Sequence, residues 1–343
     1  MSGKFQVYEE EDPAMYSAAA AAPAPKLPIP PPPTLNRQQA TFGSSVPTTP
    51  HTSAATATPV DNAEFDTIVR TFIAKNNPKL YILTPCYGSM CHVDYISCMM
   101  QTIELFRSLN FPIQVEFCKN DSLVTRARNN LAARAMADPS CTHIMFIDSD
   151  ISWTPVDVLK LVLCEKELCG GIYPLKHYNW NKLVSDPKNP YNSNAVQTFI
   201  DKKNASQLKT FITDEQMVQY NMVRYNVNYL SNYLTIENNL SEVRHLATGF
   251  MMIRRCVFEK MFRAFPSTKY VDDVCFLKEH ENPFAYALFD TGCEDGHFFS
   301  EDWLFCSRWC KMSKNHKIYA DVSINLSHSG VEVYSGSYIA SII

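Results

Sequence analysis

Glycine is scarce in this chain, with 10 residues in 343. Neither GxGxxG nor GxxxxGKS/T occurs, so glycine-cradled phosphate sites of the dinucleotide-binding and P-loop kinds have no support. No two of the 12 cysteines have CxxC spacing and no Cys/His knuckle appears, which leaves zinc-finger and thioredoxin readings without a basis. Neither charge sign dominates: 31 Lys+Arg face 35 Asp+Glu, for a net charge of −4. This argues against a basic nucleic-acid-binding protein, though not against a local basic site, and no nucleic-acid partner is expected. No apolar run reaches the roughly 18–20 residues of a membrane span, so no transmembrane segment is expected. Met1 to Asp12 is polar and acidic with no apolar stretch behind it, so no secretory start is expected either. Asn-x-Ser sequons such as those at Asn204, Asn239 and Asn325 then carry little weight. Mostly buried free thiols in a cytoplasmic setting are the expectation.

What is present divides unevenly. The first 60 residues hold 11 of the 21 prolines, an alanine run from Ala18 to Ala22 and the block Pro30 to Pro33, and no cysteine. Such a segment buries too little apolar surface to offset its ordering entropy, so residues 1–60 are expected to be a disordered, polyproline-like tail. Residues 61–343 read as one α/β domain; at 46% hydrophobic and 19% charged, the chain can bury a sizeable core.

Within it, short apolar strands alternate with helical patterns. Strands are expected at Leu80–Thr84, Ile113–Phe117, His143–Ile147 and Cys169–Tyr173, and helices at Tyr95–Leu109, Ser122–Ala137 and from Thr154–Pro155 onward. This order predicts a mostly parallel sheet with helices on both faces. Further strands are expected at Leu246–Ile253, Ala285–Phe289 and within Lys317–Leu326, with helices near Cys256–Phe262 and at Ser300–Met312. Residues 177–240 are polar and rich in Asn and Tyr, and read either as a lid that sets specificity or as an ordinary surface insertion.

Three constellations carry chemistry. In Phe146-Ile147-Asp148-Ser149-Asp150 a buried strand runs into two carboxylates spaced i, i+2. In extended chain both point the same way, at the carboxyl end of a strand where open α/β sheets bind ligands. Two carboxylates at one spot repel unless a cation lies between them, and hard oxygen ligands suit Mg²⁺ or Mn²⁺, which in turn suit a diphosphate. Gly296 to Trp303 holds the acidic pair Glu301-Asp302 at a helix start capped by Ser300. Either acid could serve as a general base in a cleft. His328, after the last expected strand, could complete a carboxylate metal site or be structural. Thr84-Pro85-Cys86-Tyr87-Gly88 ends the first strand on the same sheet edge, and reads either as a loop placed to touch a base or as an ordinary β-α turn. Arg126 and Asn129 share a helix face, which is either a solvated surface or one from which an arginine could steady a phosphate.

The series TPCY, RARN, FIDSD, GGIYPLK, TGFMMIRR, SEDW and a late His, in this order over about residues 78–330, resembles glycosyltransferases of the GT-A fold. The similarity is greatest to compact forms encoded by large DNA viruses and phages, and a viral source is implied by it alone. The resemblance implies that Asp148-Ser149-Asp150 is the DxD motif. Asp150 would bind Mn²⁺ or Mg²⁺, Asp148 would hold ribose or a metal-bound water, and His328 would be the late metal ligand. It also implies Asp302, beside Glu301, as the base of an inverting reaction. Thr84, Pro85 and Tyr87 would contact base and ribose, Arg126 and Asn129 the nucleotide, and Gly249 and Phe250 the sugars, with Lys176 as a second cation. The implied partners are a UDP- or GDP-sugar donor and a glycan or protein-glycan hydroxyl acceptor. If Asp302 is only a helix-start acid, a retaining mechanism stays open.

A sugar-phosphate nucleotidyltransferase is the main alternative. Its usual loop after the first strand is rich in glycine and basic residues, whereas TPCYGSMCH has one glycine and no Lys or Arg. A nuclease is disfavoured by the near-neutral charge. A non-catalytic carbohydrate-binding protein of the same fold is the third reading.

Overall fold

Alternation of side chains along the strands explains the architecture. In the computed structural model, which describes residues 3–6, 62–183, 195–294, 296–330 and 332–342, nine strands form one sheet. Their spatial order is Gly3–Gln6, Tyr233–Glu237, Leu240–Val243, Ile318–Asp321, Leu168–Gly171, Phe250–Arg254, His143–Ile147, Leu80–Cys86 and Ile113–Lys119. Six run in one direction. Gly3–Gln6, Leu240–Val243 and Phe250–Arg254 run in the other. Six of the nine strands thus share one direction, as expected for a mainly parallel sheet, but five of the eight neighbouring pairs are antiparallel, and one reversed strand lies near the centre.

Neighbouring residues of each strand feed two different cores. Leu83, Ile144, Phe146, Met251 and Ile253 pack with the helices Val124–Ala137, Arg255–Ala264 and Glu301–Met312. Leu80, Ile82, Met145, Ile147 and Met252 pack with Asn62–Asn76, Val93–Ser108 and Pro155–Leu163. Helices therefore cover both faces, and the central strand His143–Ile147 is buried at every position. The Pro155–Leu163 helix starts as its sequence predicts. Thr154 is its N-cap, and the Thr154 N–H and hydroxyl both donate to Asp157 Oδ2, at 3.0 and 2.6 Å.

Several elements differ from expectation. Tyr233–Glu237, inside the expected polar insertion, is a strand of the main sheet whose Leu234 and Ile236 are buried in the core. The alternation Tyr-Leu-Thr-Ile-Glu is a half-buried strand pattern, outweighed in the reading of the sequence by the surrounding Asn and Tyr. The rest of the described insertion includes the helices Ala195–Ala205 and Asp214–Met222. Gly3–Gln6, inside the expected tail, pairs antiparallel with Tyr233–Ile236; the remainder of that tail lies outside the described residues. Ala285–Phe289 is not a strand; Tyr286 makes one isolated bridge to Lys269. Among the described residues no helix is long and apolar enough to cross a membrane.

Candidate functional site

The reversed strand is what builds the site. An antiparallel neighbour begins where its partner ends, so Gly249, just before Phe250–Arg254, meets the exit of His143–Ile147. The Asp148 N–H donates to the Gly249 carbonyl at 3.0 Å. The Ile151 N–H then donates to the Asp148 carbonyl at 3.1 Å, folding the chain back on itself. Asp148 and Asp150 therefore flank a tight turn and do not lie on extended chain, as the i, i+2 argument assumed. They still line one cleft, but their partners differ.

Asp150 gathers the first cluster. Ile151–Ser152 pairs with Ser327 and His328 of the strand Asn325–Ser329, and the Ser329 N–H donates to the Asp150 carbonyl at 2.8 Å. This ladder holds His328 Nε2 at 3.4 Å from Asp150 Oδ2. The other ring nitrogen, Nδ1, is 2.9 Å from the Pro174 carbonyl. A carbonyl only accepts, so Nδ1 carries the proton. Lys176, on the strand Pro174–Tyr178, brings its Nζ to 2.5 Å from Asp150 Oδ2. Burial pushes the Asp150 carboxyl up, but the hydrogen bonds from His328 and Lys176 outweigh it and hold the group at about 2.

Arg128 gathers the second cluster. Its Nη2 lies 2.9 Å from Asp148 Oδ1 and its Nε 3.3 Å from Glu301 Oε1. Glu301 also receives the Thr248 hydroxyl at 3.5 Å. Asp302, the next residue, is buried; its Oδ1 accepts from the Ser300 hydroxyl and from the Trp303 N–H at 2.8 Å. Burial first, and then the Glu301 charge, raise its carboxyl above the ordinary value. Tyr173 packs between the clusters, with its ring edge-on to His328 at 5.1 Å and its hydroxyl against Gly249, where a Cβ would come within 2.6 Å of it. Only glycine fits there.

The cleft beside these groups has a volume of about 370 Å³ and is lined by Pro85, Tyr87, Asp121, Ala127 and the Asp148–Asp150 turn, among others. Pro85, Tyr87, Asp148 and Asp150 of the expected site residues thus meet at one opening. Asp302, Glu301 and His328 are not among its lining residues. Other expected contacts point elsewhere. The Thr84 hydroxyl is buried against the Tyr95 hydroxyl at 2.6 Å. Arg126 forms a fork with Asp121 at the cleft rim, with Nη2 to Oδ1 at 2.7 Å. Asn129 spends its amide on the backbone of Phe289, donating to the carbonyl at 2.7 Å and accepting from the N–H at 2.9 Å. Phe250 is buried against Trp153.

Arg128 escaped the sequence reading. Its signal was available: Arg128, Leu131, Ala132 and Ala135 fall at i, i+3, i+4 and i+7, the buried face of the helix. An arginine on an apolar stripe needs acidic partners, and those come from residues 20 and 173 positions away.

Among the described residues, no three His, Cys, Asp or Glu side chains gather in a way that would hold a metal ion. The donor chemistry nevertheless fits a divalent cation at Asp150 and His328. Their 3.4 Å separation suits two ligands of one ion at about 2.0–2.2 Å each, and Nε2 is the ring nitrogen that faces the carboxylate, with Nδ1 already engaged by the Pro174 carbonyl. Asp148 would have to share its carboxylate with Arg128 to join them.

No family model matches the chain, and no curated protein matches it. Among solved structures, the crystal structure of A197 from STIV is similar at a TM-score of 0.39 and 15% identity, over 77% of this chain and 93% of that one. A likeness of that size assigns neither fold family nor activity.

Proposed function

We propose that this protein is a glycosyltransferase of GT-A type, transferring a sugar from a UDP- or GDP-sugar to the hydroxyl of a glycan or protein-glycan acceptor. The observation that carries this reading is the convergence of Asp150, His328 and Lys176 with the Asp148–Arg128 pair beside one cleft at the carboxyl ends of the strands. Open α/β sheets bind nucleotides there. Asp150 and His328 would hold Mn²⁺ or Mg²⁺. When bound, such an ion neutralises the charge that develops on a departing diphosphate. Lys176 adds a positive charge at the same place. Pro85 and Tyr87 form the wall for the base.

Asp302 would accept the acceptor's proton. A raised carboxyl is a stronger base than an ordinary one, and Asp302 is already oriented by Ser300 and the Trp303 N–H. Attack from the side opposite the diphosphate would invert the anomeric centre. A second reading also has an observation behind it. The Lys176 ammonium sits 2.5 Å from Asp150 Oδ2, so the same transfer could run with Lys176 as the counter-charge and no divalent ion.

A thermal-shift screen of UDP- and GDP-sugars, with Mn²⁺ or with EDTA, tests both. A donor shift that needs Mn²⁺ and is lost in Asp150→Ala supports the metal-dependent transferase. A shift unaffected by EDTA but lost in Lys176→Met supports the metal-free version. No shift with any donor, from folded protein, refutes the transferase reading.

A further inference from the structure

Arg128 is the one arginine among the described residues that is buried, with 3% of its surface exposed. It lies over the Phe146 ring, 5.6 Å from the centroid, and so is held from below as well as from its two ends. Its Nη2 holds Asp148, at the turn that lines the cleft, and its Nε holds Glu301, the neighbour of Asp302. The third nitrogen, Nη1, is buried with no hydrogen-bond partner among the described residues. Burying a donor without a partner is unfavourable, so the side chain is not placed here for stability alone.

Resting on the transferase reading above, we infer that Arg128 is a positioning residue that clamps Asp148 and Glu301 at a fixed separation, coupling the donor turn to the acidic pair. Asp148 and Glu301 belong to different layers of the fold, one to a strand exit and one to a helix start. No direct contact between them is needed, because the planar guanidinium presents separate nitrogens to each in a rigid fork. The clamp also keeps Glu301 beside Asp302, whose protonation depends on that neighbouring charge. Lysine, a single flexible point charge, can satisfy one carboxylate but not both.

The experiment compares wild type, Arg128→Lys, Arg128→Met, Glu301→Gln and the double variant Arg128→Met/Glu301→Gln. Thermal melting comes first. Arg128→Met leaves two carboxylates without their counter-charge, and its melting temperature should fall by about 5 °C or more. Glu301→Gln should lower the melting temperature of the wild type yet raise that of Arg128→Met, a reversal of sign. Equal shifts in both backgrounds overturn the clamp. Kinetics come second, on transfer or slow hydrolysis of whichever nucleotide-sugar shifts the wild type. Arg128→Lys should fold, with kcat lowered about a hundredfold and by more than KM is raised. Undiminished kcat in Arg128→Lys overturns the positioning role. If no nucleotide-sugar shifts the wild type, the transferase reading fails, and the sign reversal in melting still decides the clamp.

Discussion

Replacing Gly249 by alanine tests how the site is built without assuming what it does. The new Cβ would stand 2.6 Å from the Tyr173 hydroxyl and 2.8 and 2.9 Å from two of its ring carbons. Ordinary contacts begin near 3.4 Å, so three atoms of one side chain must retreat by about 0.5–0.8 Å. Tyr173 has little room, being 5% exposed and packed edge-on against His328. Gly249 cannot yield either, because its carbonyl holds the Asp148 N–H and Phe250 pairs with Ile147. Overpacking of this kind costs about 1–3 kcal/mol. At roughly 2–4 °C per kcal/mol for a domain of this size, the melting temperature should fall by about 2–12 °C. Gly292→Ala is the control, since its nearest neighbour would be 4.0 Å away. Differential scanning calorimetry on both variants decides the matter. If Gly249→Ala melts within a degree of wild type, the packing argument for Tyr173, Gly249 and the Asp148 turn is wrong.

Three other outcomes are expected. His143 is buried and its imidazole is held down at about 4 by burial and then by Arg254, so it stays neutral where an unfolded histidine is protonated. The unfolded state binds the extra proton between pH 6.5 and about 4, and stability should fall with pH across that window by on the order of 3 kcal/mol. Urea melts of His143→Gln should show a flatter pH dependence; an unchanged slope would sink this assignment. Asn129→Ala strips the buried Phe289 N–H and carbonyl of their partner, at about 1–3 kcal/mol, and should lower the melting temperature while leaving any donor-induced shift intact. Loss of that shift at unchanged stability would restore Asn129 as a nucleotide contact. Asp302→Asn should bind donor as the wild type does and stop transfer, checked by calorimetry beside product release; normal turnover removes Asp302 as the base.

The layers of the fold are legible in local patterns of the chain. A short apolar run such as His143–Ile147 reads as a buried strand, and Thr154-Pro155 as a helix start, because these are local preferences of short segments. Asp148 and Asp150 were legible for the same reason, as charges at the end of an apolar run. Tertiary structure decided what faces them. Arg128 meets Asp148 and Glu301, His328 meets Asp150, and Tyr173 meets Gly249 through one reversed strand and one small ladder that join residues far apart in the chain. Helical spacing alone put Arg126 and Asn129 on a shared face, but which face is buried depends on what packs against it. Partners selected by long-range pairing leave no local periodicity behind, so the carboxylates could be read from the sequence and the groups that hold them could not.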